Sequence, residues 1–218
     1  MPRPPFPCYP QPAHIFPATC TTERKDDPMK KLLALLAALL LAVLPASAEN
    51  APEFSEDEAA ALVLKAICAF LDSEELIYET SMEYPMCSLS FDLEKTSALG
   101  SCIGMDAHAM YDGALIIAYY EQNVPEDRAD EVLRLCNYLN AETYGAKLYL
   151  SPDDLGLYCE TFLPLYAGSI GDEEMFLLSE SFWLAYGFAE FYHDYFIEVI
   201  ANGETAANAY AMWLADSE

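Results

Sequence analysis

A period-two pattern in the middle of the chain constrains the fold more than any other feature. Over residues 87–93 apolar residues occupy the odd positions, and Ser or Asp occupies the even ones. The alternation continues over 101–110, and a third apolar stretch follows over 114–121 after a Tyr-Asp-Gly turn sequence at 111–113. Successive side chains of a strand point to opposite faces of a sheet. The pattern therefore predicts three half-buried antiparallel strands with the odd positions of the first two facing the core.

Helices are predicted on both sides of these strands. Ser55 and, three residues later, Glu58 form a capping box, which predicts a helix ending near Leu71. The sequence Val-Pro-Glu-Asp at 124–127 opens a second helix, because proline suits the first helical position, and Gly145 ends that segment. The remaining predicted elements are strands at 147–150 and 156–163, a long helix at 172–201 and a short helix at 205–214. The order α-β-β-β-α-β-β-α predicts an α+β fold with helices packed on an antiparallel sheet.

An export signal is predicted at residues 29–48. Met29 is followed by two lysines, an apolar run at 32–44 and the small residues Ala-Ser-Ala at 46–48. This three-part pattern is typical of a secretory signal peptide, and the run is shorter than the ~20 residues that span a bilayer. We therefore expect a periplasmic or secreted protein. An uncleaved membrane anchor is the alternative.

The segment before the signal, residues 1–28, is rich in proline and lacks periodicity. It fits either an upstream start of translation, with Met29 as the true start, or a disordered extension. After the signal, residues 49–218 have the length of a single domain.

The charge of the chain is strongly acidic, with a formal net charge of −26. Removing the predicted signal makes it more negative, because residues 1–48 contain more bases than acids. Phosphate backbones and anionic membranes attract positive charge, so nucleic acid and membrane surfaces are excluded as partners. A basic partner or divalent cations would be attracted, although solubility alone also explains such a charge.

Five cysteines follow the predicted signal, and an odd number leaves at least one free or paired between chains. Four of the five fall on predicted apolar faces and are interpreted as small buried hydrophobes, whereas Cys102 points outward. A bridge between Cys87 and Cys102 is disfavoured, because the alternation places them on opposite faces. The five residues are Cys68, Cys87, Cys102, Cys136 and Cys159.

No catalytic residue, metal site or cofactor is predicted. The acidic clusters lack EF-hand spacing and fall where helix starts and turns favour acids. Asp106 and His108 share an outward strand face near Cys102, but an exposed strand histidine is commoner than a metal ligand. His193 lies beside Asp194 without a G-x-S-x-G motif. An enzyme with a dispersed Cys, His and carboxylate site, or an acidic cation-binding protein, remains an alternative.

The long helix at 172–201 is apolar over most of its circumference, so it must be buried nearly all round. One sheet face cannot cover it, and the rest meets the first helix, a second subunit or a client protein. A partner's apolar segment could dock beside its aromatic residues. The candidate partner-binding residues are Phe182, Trp183, Tyr186, Tyr192 and Tyr195.

Two short sequence segments in the middle of the chain resemble those of a known family. The helix opening at 124–127 and its closing sequence Leu-Cys-Asn-Tyr-Leu-Asn at 135–140, followed by a strand pair and an aromatic helix, resemble the YbjN family over about residues 55–203. The resemblance implies a fold similar to that of type III secretion chaperones and a non-enzymatic, regulatory or chaperone-like role, often as dimers. Many family members are cytoplasmic, so the predicted export sets this chain apart.

Overall fold

The structure, a computed structural model, describes residues 54–217. The predicted signal and the segment before it lie outside the described residues. The predicted α+β fold is confirmed, because an antiparallel six-stranded sheet carries four helices. The helices are α1 (Glu56–Ser73), α2 (Ala129–Glu142), α3 (Asp172–Ile200) and α4 (Ala206–Asp216). The strands are β1 (Glu79–Ser81), β2 (Met86–Ser97), β3 (Gly100–Met110), β4 (Gly113–Tyr120), β5 (Lys147–Leu150) and β6 (Leu157–Pro164).

The strand order is β1-β2-β3-β4-β6-β5, and every neighbouring pair is antiparallel. The predicted alternation holds, since Ile103, Met105 and Ala107 of β3 are buried while Asp106 and His108 between them keep some exposure. We call the buried side the inner face and the opposite side the outer face. Because the side-chain period is two, this register places Ile103, Met105, Ala107 and Ala109 in the core.

All four helices contribute to the single core that the inner face of the sheet completes. The capping box that opens α1 is confirmed, because the Ser55 backbone N–H donates to the Glu58 carboxylate at 2.9 Å and the Glu58 N–H donates to the Ser55 hydroxyl. Apolar residues of α1, including Ile67 and Leu71, are fully buried. The helices and the inner face therefore form two packed layers.

The structure corrects three details of the predicted elements. Strand β2, for which the sequence predicts alternation over residues 87–93, continues to Ser97, and only two residues separate Ser97 from its partner Gly100. Strand β1 was not predicted, because three residues without apolar alternation give no periodic signal. The helix expected to open at 124–127 begins with a 3-10 turn, Glu126–Arg128, before α2.

Arg128 ties this 3-10 turn to the end of α3. Its Nε donates to the Val199 carbonyl at 2.8 Å. Its Nη2 donates to the same carbonyl and to the Glu204 carbonyl, the latter at 2.8 Å. Val199 lies in the last turn of α3, where carbonyls lack helical partners. The cation therefore satisfies main-chain acceptors and fixes the connection to α4.

Within residues 54–217, none of the helices combines the length and the apolar character needed to cross a membrane.

Candidate functional site

The outer face of the sheet is the most distinctive surface of the described chain. Its side chains are not part of the core that the four helices form, and apart from its glycines none of its residues is fully buried. Across the strands, Gly104, Tyr119, Tyr158 and Tyr149 are direct neighbours in register. Because neighbours in register lie on the same face, β4, β6 and β5 bring three tyrosines together in one row.

The tyrosine row consists of Tyr119, Tyr158 and Tyr149, and its rings are in contact. Tyr149 and Tyr158 stack, with ring centroids 5.2 Å apart and ring planes 17° apart, and Tyr119 lies 6.4 Å from Tyr158. The Tyr158 hydroxyl donates to Asp154 Oδ2 at 3.1 Å. Tyrosines of this kind offer both apolar area and a hydrogen-bonding hydroxyl, which is typical of protein interfaces.

Two glycines make room for these rings. A Cβ on Gly104 would lie 2.4 Å from Tyr119 Cε2, and a Cβ on Gly156 would lie 2.5 Å from Tyr158 Cε2. Each ring therefore lies against main chain that only glycine leaves accessible. The sequence alone does not indicate this arrangement. Gly104 and Tyr119 belong to different strands, and Gly156 lies two residues before Tyr158, just ahead of β6.

A second outer-face row lies beside the tyrosine row and contains two carboxylates. Ser88, Asp106, Ile117, Glu160 and Lys147 are successive neighbours in register across β2, β3, β4, β6 and β5. One oxygen of Asp106, Oδ1, is buried and has no hydrogen-bond partner. A buried acceptor without a donor is costly, and the Asp106 side chain as a whole keeps partial exposure, so this carboxylate is a favourable point for an incoming donor.

The phenols of the tyrosine row stay protonated at neutral pH. Burial, followed by the nearby charge of Glu160, raises the pKa of Tyr149 to about 12. Burial and the Asp106 charge raise the pKa of Tyr119, and burial and the hydrogen bond to Asp154 raise that of Tyr158. The row therefore presents neutral hydroxyls in a field of carboxylates.

A cleft of about 460 Å³ borders the tyrosine row on the side of β1. It lies between Tyr119, Ser88 and Ser90 of the outer face and the segment of Ile77 and Glu79. Ile77 is 95% exposed, which is unusual for a large aliphatic side chain. The cleft, with both polar and apolar side chains in its lining, continues the outer face toward this edge of the sheet.

The structure divides the five residues predicted on the long helix. Phe182, Tyr192 and Tyr195 are buried in the core, at 1%, 4% and 9% exposure. Their neighbours within the chain explain the burial, since α1, α2, α4 and the inner face surround α3. The first helix thus covers part of the surface that the sequence left open to a partner. A partner-binding role for these residues stays a prediction.

Trp183 and Tyr186 are the two predicted residues that keep partial exposure. They pack around Phe91 of β2, with ring centroids at 5.7 Å and 4.6 Å, and Trp183 also contacts Phe182 edge-on. The Tyr186 hydroxyl donates to Glu190 at 3.0 Å. We call Phe91, Trp183 and Tyr186 the helix-edge cluster, which lies apart from the outer face because Phe91 belongs to the inner side of β2.

A second polar constellation was not predicted from the sequence. Ser97 Oγ lies 2.9 Å from His193 Nε2, and His193 Nδ1 lies 3.0 Å from Asp194 Oδ1. The arrangement has the order of a nucleophile, a base and an orienting acid. However, Asp194 is 94% exposed, and the Leu99 N–H bonds to the Ser97 hydroxyl itself as part of the tight turn. This geometry is typical of a turn hydroxyl that links the β2–β3 hairpin to α3.

The described cysteines are all free thiols. The disfavoured pair stays apart in the sheet, because Cys87 faces Ala107 and Cys102 faces Asp92. Cys87, Cys136 and Cys159 are buried, as interpreted from the sequence, while Cys68 and Cys102 are partly exposed. The sulfurs of Cys68 and Cys87 lie 3.6 Å apart, a contact that no local sequence pattern indicates.

Metal ligation finds little support in residues 54–217, where no three His, Cys, Asp or Glu side chains come close enough to share an ion. Asp106 and His108 do share the outer face, as predicted. The acidic clusters at the starts of α1 and α3 lie in the first helical turns, as predicted, where the helix dipole favours negative charge.

Comparison with known proteins supports the family resemblance. Residues 109–185 match the model of the YbjN family, described as "Putative bacterial sensory transduction regulator". The match runs from the end of β3 through β4, α2, β5 and β6 into the first half of α3, and so includes all three tyrosines of the row. No curated protein matches the chain. No solved structure matches it either. The resemblance to the YbjN family recognised from the sequence is confirmed over this segment of the chain.

Proposed function

We propose that this chain is an exported, non-enzymatic protein-binding domain with a regulatory or chaperone-like role, and that the outer face of its sheet is the docking surface. The observation that carries the proposal is the row of Tyr119, Tyr158 and Tyr149 on a face that none of the described helices covers. The description of the matched family, which is that of a regulator rather than of an enzyme, supports the same reading.

The chemistry of this face favours a partner segment that is apolar and carries a basic side chain. The tyrosines and Ile117 supply apolar area, and the partly exposed Asp106 carboxylate offers an acceptor to an incoming ammonium, guanidinium or main-chain N–H. Glu160 and the excess of acids over the whole chain add long-range attraction for a cation.

A second copy of the chain is the less favourable occupant. Stacking two outer faces would bring Asp106 and Glu160 of both copies together, and like charges that lose water repel strongly. The helix-edge cluster offers a second, smaller contact area, where Trp183 and Tyr186 are within reach of a partner and Phe182 packs edge-on against Trp183 from the core.

Site-specific photocrosslinking in the producing cell tests the docking surface. A photoreactive residue at Ile117 should form a discrete adduct, whereas the same residue at Glu173, an exposed position of α3, should form none. Asp106→Lys should reduce the adduct at Ile117 at least tenfold, because it places a cation where the partner's cation binds. Adducts at both positions alike, or none at Ile117, would contradict the proposal.

The mass of the adduct distinguishes the two occupants. An adduct at Ile117 with twice the mass of the chain identifies a homodimer, and a different added mass identifies another protein. A photoreactive residue at Trp183 tests the helix-edge cluster in the same way. If only the residue at Trp183 forms an adduct, the helix-edge cluster on α3 is the binding surface and the outer face is not.

Export is the part of the proposal that cell fractionation tests. The chain should be found in the periplasm or the medium with Glu49 as its first residue. A cytoplasmic chain that retains residues 29–48 would refute export, and peptides from residues 2–25 in the precursor would show that the upstream segment is translated.

An enzymatic alternative is favoured by one observation, the chain of hydrogen-bonding groups from Ser97 through His193 to Asp194. A fluorophosphonate probe reacts with serine nucleophiles that a histidine activates. We expect no labelling of Ser97, because Asp194 is exposed and the Ser97 hydroxyl is occupied by its own turn. Labelling that is lost in both Ser97→Ala and His193→Gln would establish the enzyme instead.

A further inference from the structure

The helix α1 and the strand β2 each bring one cysteine to the layer between them. Cys68 lies in α1 and Cys87 in β2, and their sulfurs are 3.6 Å apart. This distance is van der Waals contact between two thiols, which a small rotation of the side chains converts into bonding distance. The other described cysteines make no such pair, since Cys102 lies on the outer face and Cys136 and Cys159 lie elsewhere in the core.

We propose that Cys68 and Cys87 are a thiol–disulfide exchange site, which reacts with a disulfide of another molecule and closes into a bond that joins α1 to β2. The inference goes beyond the proposed protein-binding role and does not depend on it. The reacting molecule is defined by its chemical class, a disulfide, which is the oxidant of the reaction.

The two thiols differ in access, which sets the order of the steps. Cys68 is partly exposed, whereas Cys87 is fully buried. Burial, followed by the contact with Cys68, raises the pKa of Cys87 to about 12, so this thiol holds its proton while Cys68 meets the incoming molecule. Thr80 also approaches Cys87, with its Oγ1 at 3.9 Å from the sulfur.

The exchange balances in two steps. The Cys68 thiolate attacks one sulfur of the incoming disulfide, a mixed disulfide forms, and the other sulfur leaves as a thiolate that takes a proton from water. Cys87 then attacks the Cys68 sulfur and expels the second thiolate, which takes up the proton that Cys87 loses. The two protein thiols are oxidised to one disulfide, and the incoming disulfide is reduced to two thiols.

The bond would close the segment between Cys68 and Cys87, which contains the end of α1, the exposed Ile77 and the edge strand β1. Closing a loop of this size restricts the unfolded chain. We expect the oxidised protein to have a Tm roughly 6–12 °C higher than the reduced protein.

Peptide mapping of the full chain after incubation with oxidised glutathione tests the site. Trypsin leaves both cysteines in the peptide 66–95, and a glutamate-specific protease then cuts between them at Glu74, Glu75, Glu79 and Glu83. We expect the Cys68 and Cys87 fragments to remain joined until a reductant is added, and the Tm to rise as stated.

Single variants separate the two steps of the exchange. Cys87→Ala should stop the reaction at the mixed disulfide, with one glutathione on Cys68, and Cys68→Ser should give neither product. Cys102→Ser is the matched control and should form the joined fragments as the unchanged protein does. The proposal is overturned if both thiols remain open to alkylation after oxidation, or if either is joined to a different cysteine.

Discussion

The two faces of the sheet are made by the same strands, yet they do different work. On the inner face, Ile103, Met105 and Ile116 are fully buried beneath four helices. On the outer face, Ile117 and the tyrosine row keep partial exposure beside carboxylates. Adjacent residues of one strand therefore lie in opposite environments, one in the core and the next partly in water. The inner face contributes most of the stability, because the hydrophobic free energy scales with the apolar area removed from water. The side chains of the outer face can therefore be selected for binding rather than for packing.

The largest expected effect compares Ile116 with Ile117, which are neighbours in β4 on opposite faces. Ile116→Ala should lower the free energy of unfolding by about 3 kcal/mol, because it leaves a cavity in the core. Ile117→Ala should lower it by about 1 kcal/mol or less, since its side chain is already partly in water. Urea unfolding at neutral pH measures both. Equal losses would show that the outer face is as buried in solution as the inner one.

A smaller effect, with a change of sign, is expected at Gly104. Gly104→Ala should destabilise the protein by about 1 kcal/mol, because the added methyl displaces the Tyr119 ring from the main chain. In a Tyr119→Ala background the same substitution should stabilise by about 0.5 kcal/mol, since alanine loses less conformational freedom than glycine in a strand. Thermal or urea unfolding of the four proteins gives both values. The same cost in both backgrounds would mean that Tyr119 does not lie on Gly104.

The smallest expected effect is a loss of stability at alkaline pH that depends on Tyr149. Its folded pKa of about 12 exceeds the ordinary tyrosine pKa of ~10, so its contribution to stability is complete below pH 10 and is lost as the pH rises from 10 toward 12. Tyr149→Phe should therefore lose less stability over this range than the unchanged protein. The difference in phenolate absorbance between the two proteins measures the titration, and a midpoint near pH 10 would place Tyr149 in open water.

Much of the fold was predictable because its signals are local. The capping box of Ser55 and Glu58 and the alternation in β3 depend on residues a few positions apart, and both are confirmed. Strand β1 was missed because it is defined by pairing with β2 rather than by its own three residues. The length of β2 was underestimated for the same reason, since its last residues are polar and exposed.

The candidate site was less predictable, because it depends on which strands become neighbours. Tyr119, Tyr149 and Tyr158 meet only because β6 lies between β4 and β5, an order that no local pattern specifies. The contact between Ser97 and His193, and that between Cys68 and Cys87, likewise join distant positions. The sequence located the aromatic residues of α3 correctly but could not indicate which of them the other helices cover.

The clasp formed by Arg128 has a consequence for how separate molecules behave. Its guanidinium binds the carbonyls of Val199 and Glu204, so one of the few cations of an acidic chain neutralises no carboxylate. Acids outnumber bases over the whole chain, 36 to 10, so copies of the molecule repel one another in dilute buffer. At 0.1 M salt this repulsion extends only about 10 Å, so the distance to which two molecules can approach each other should decrease as the ionic strength rises.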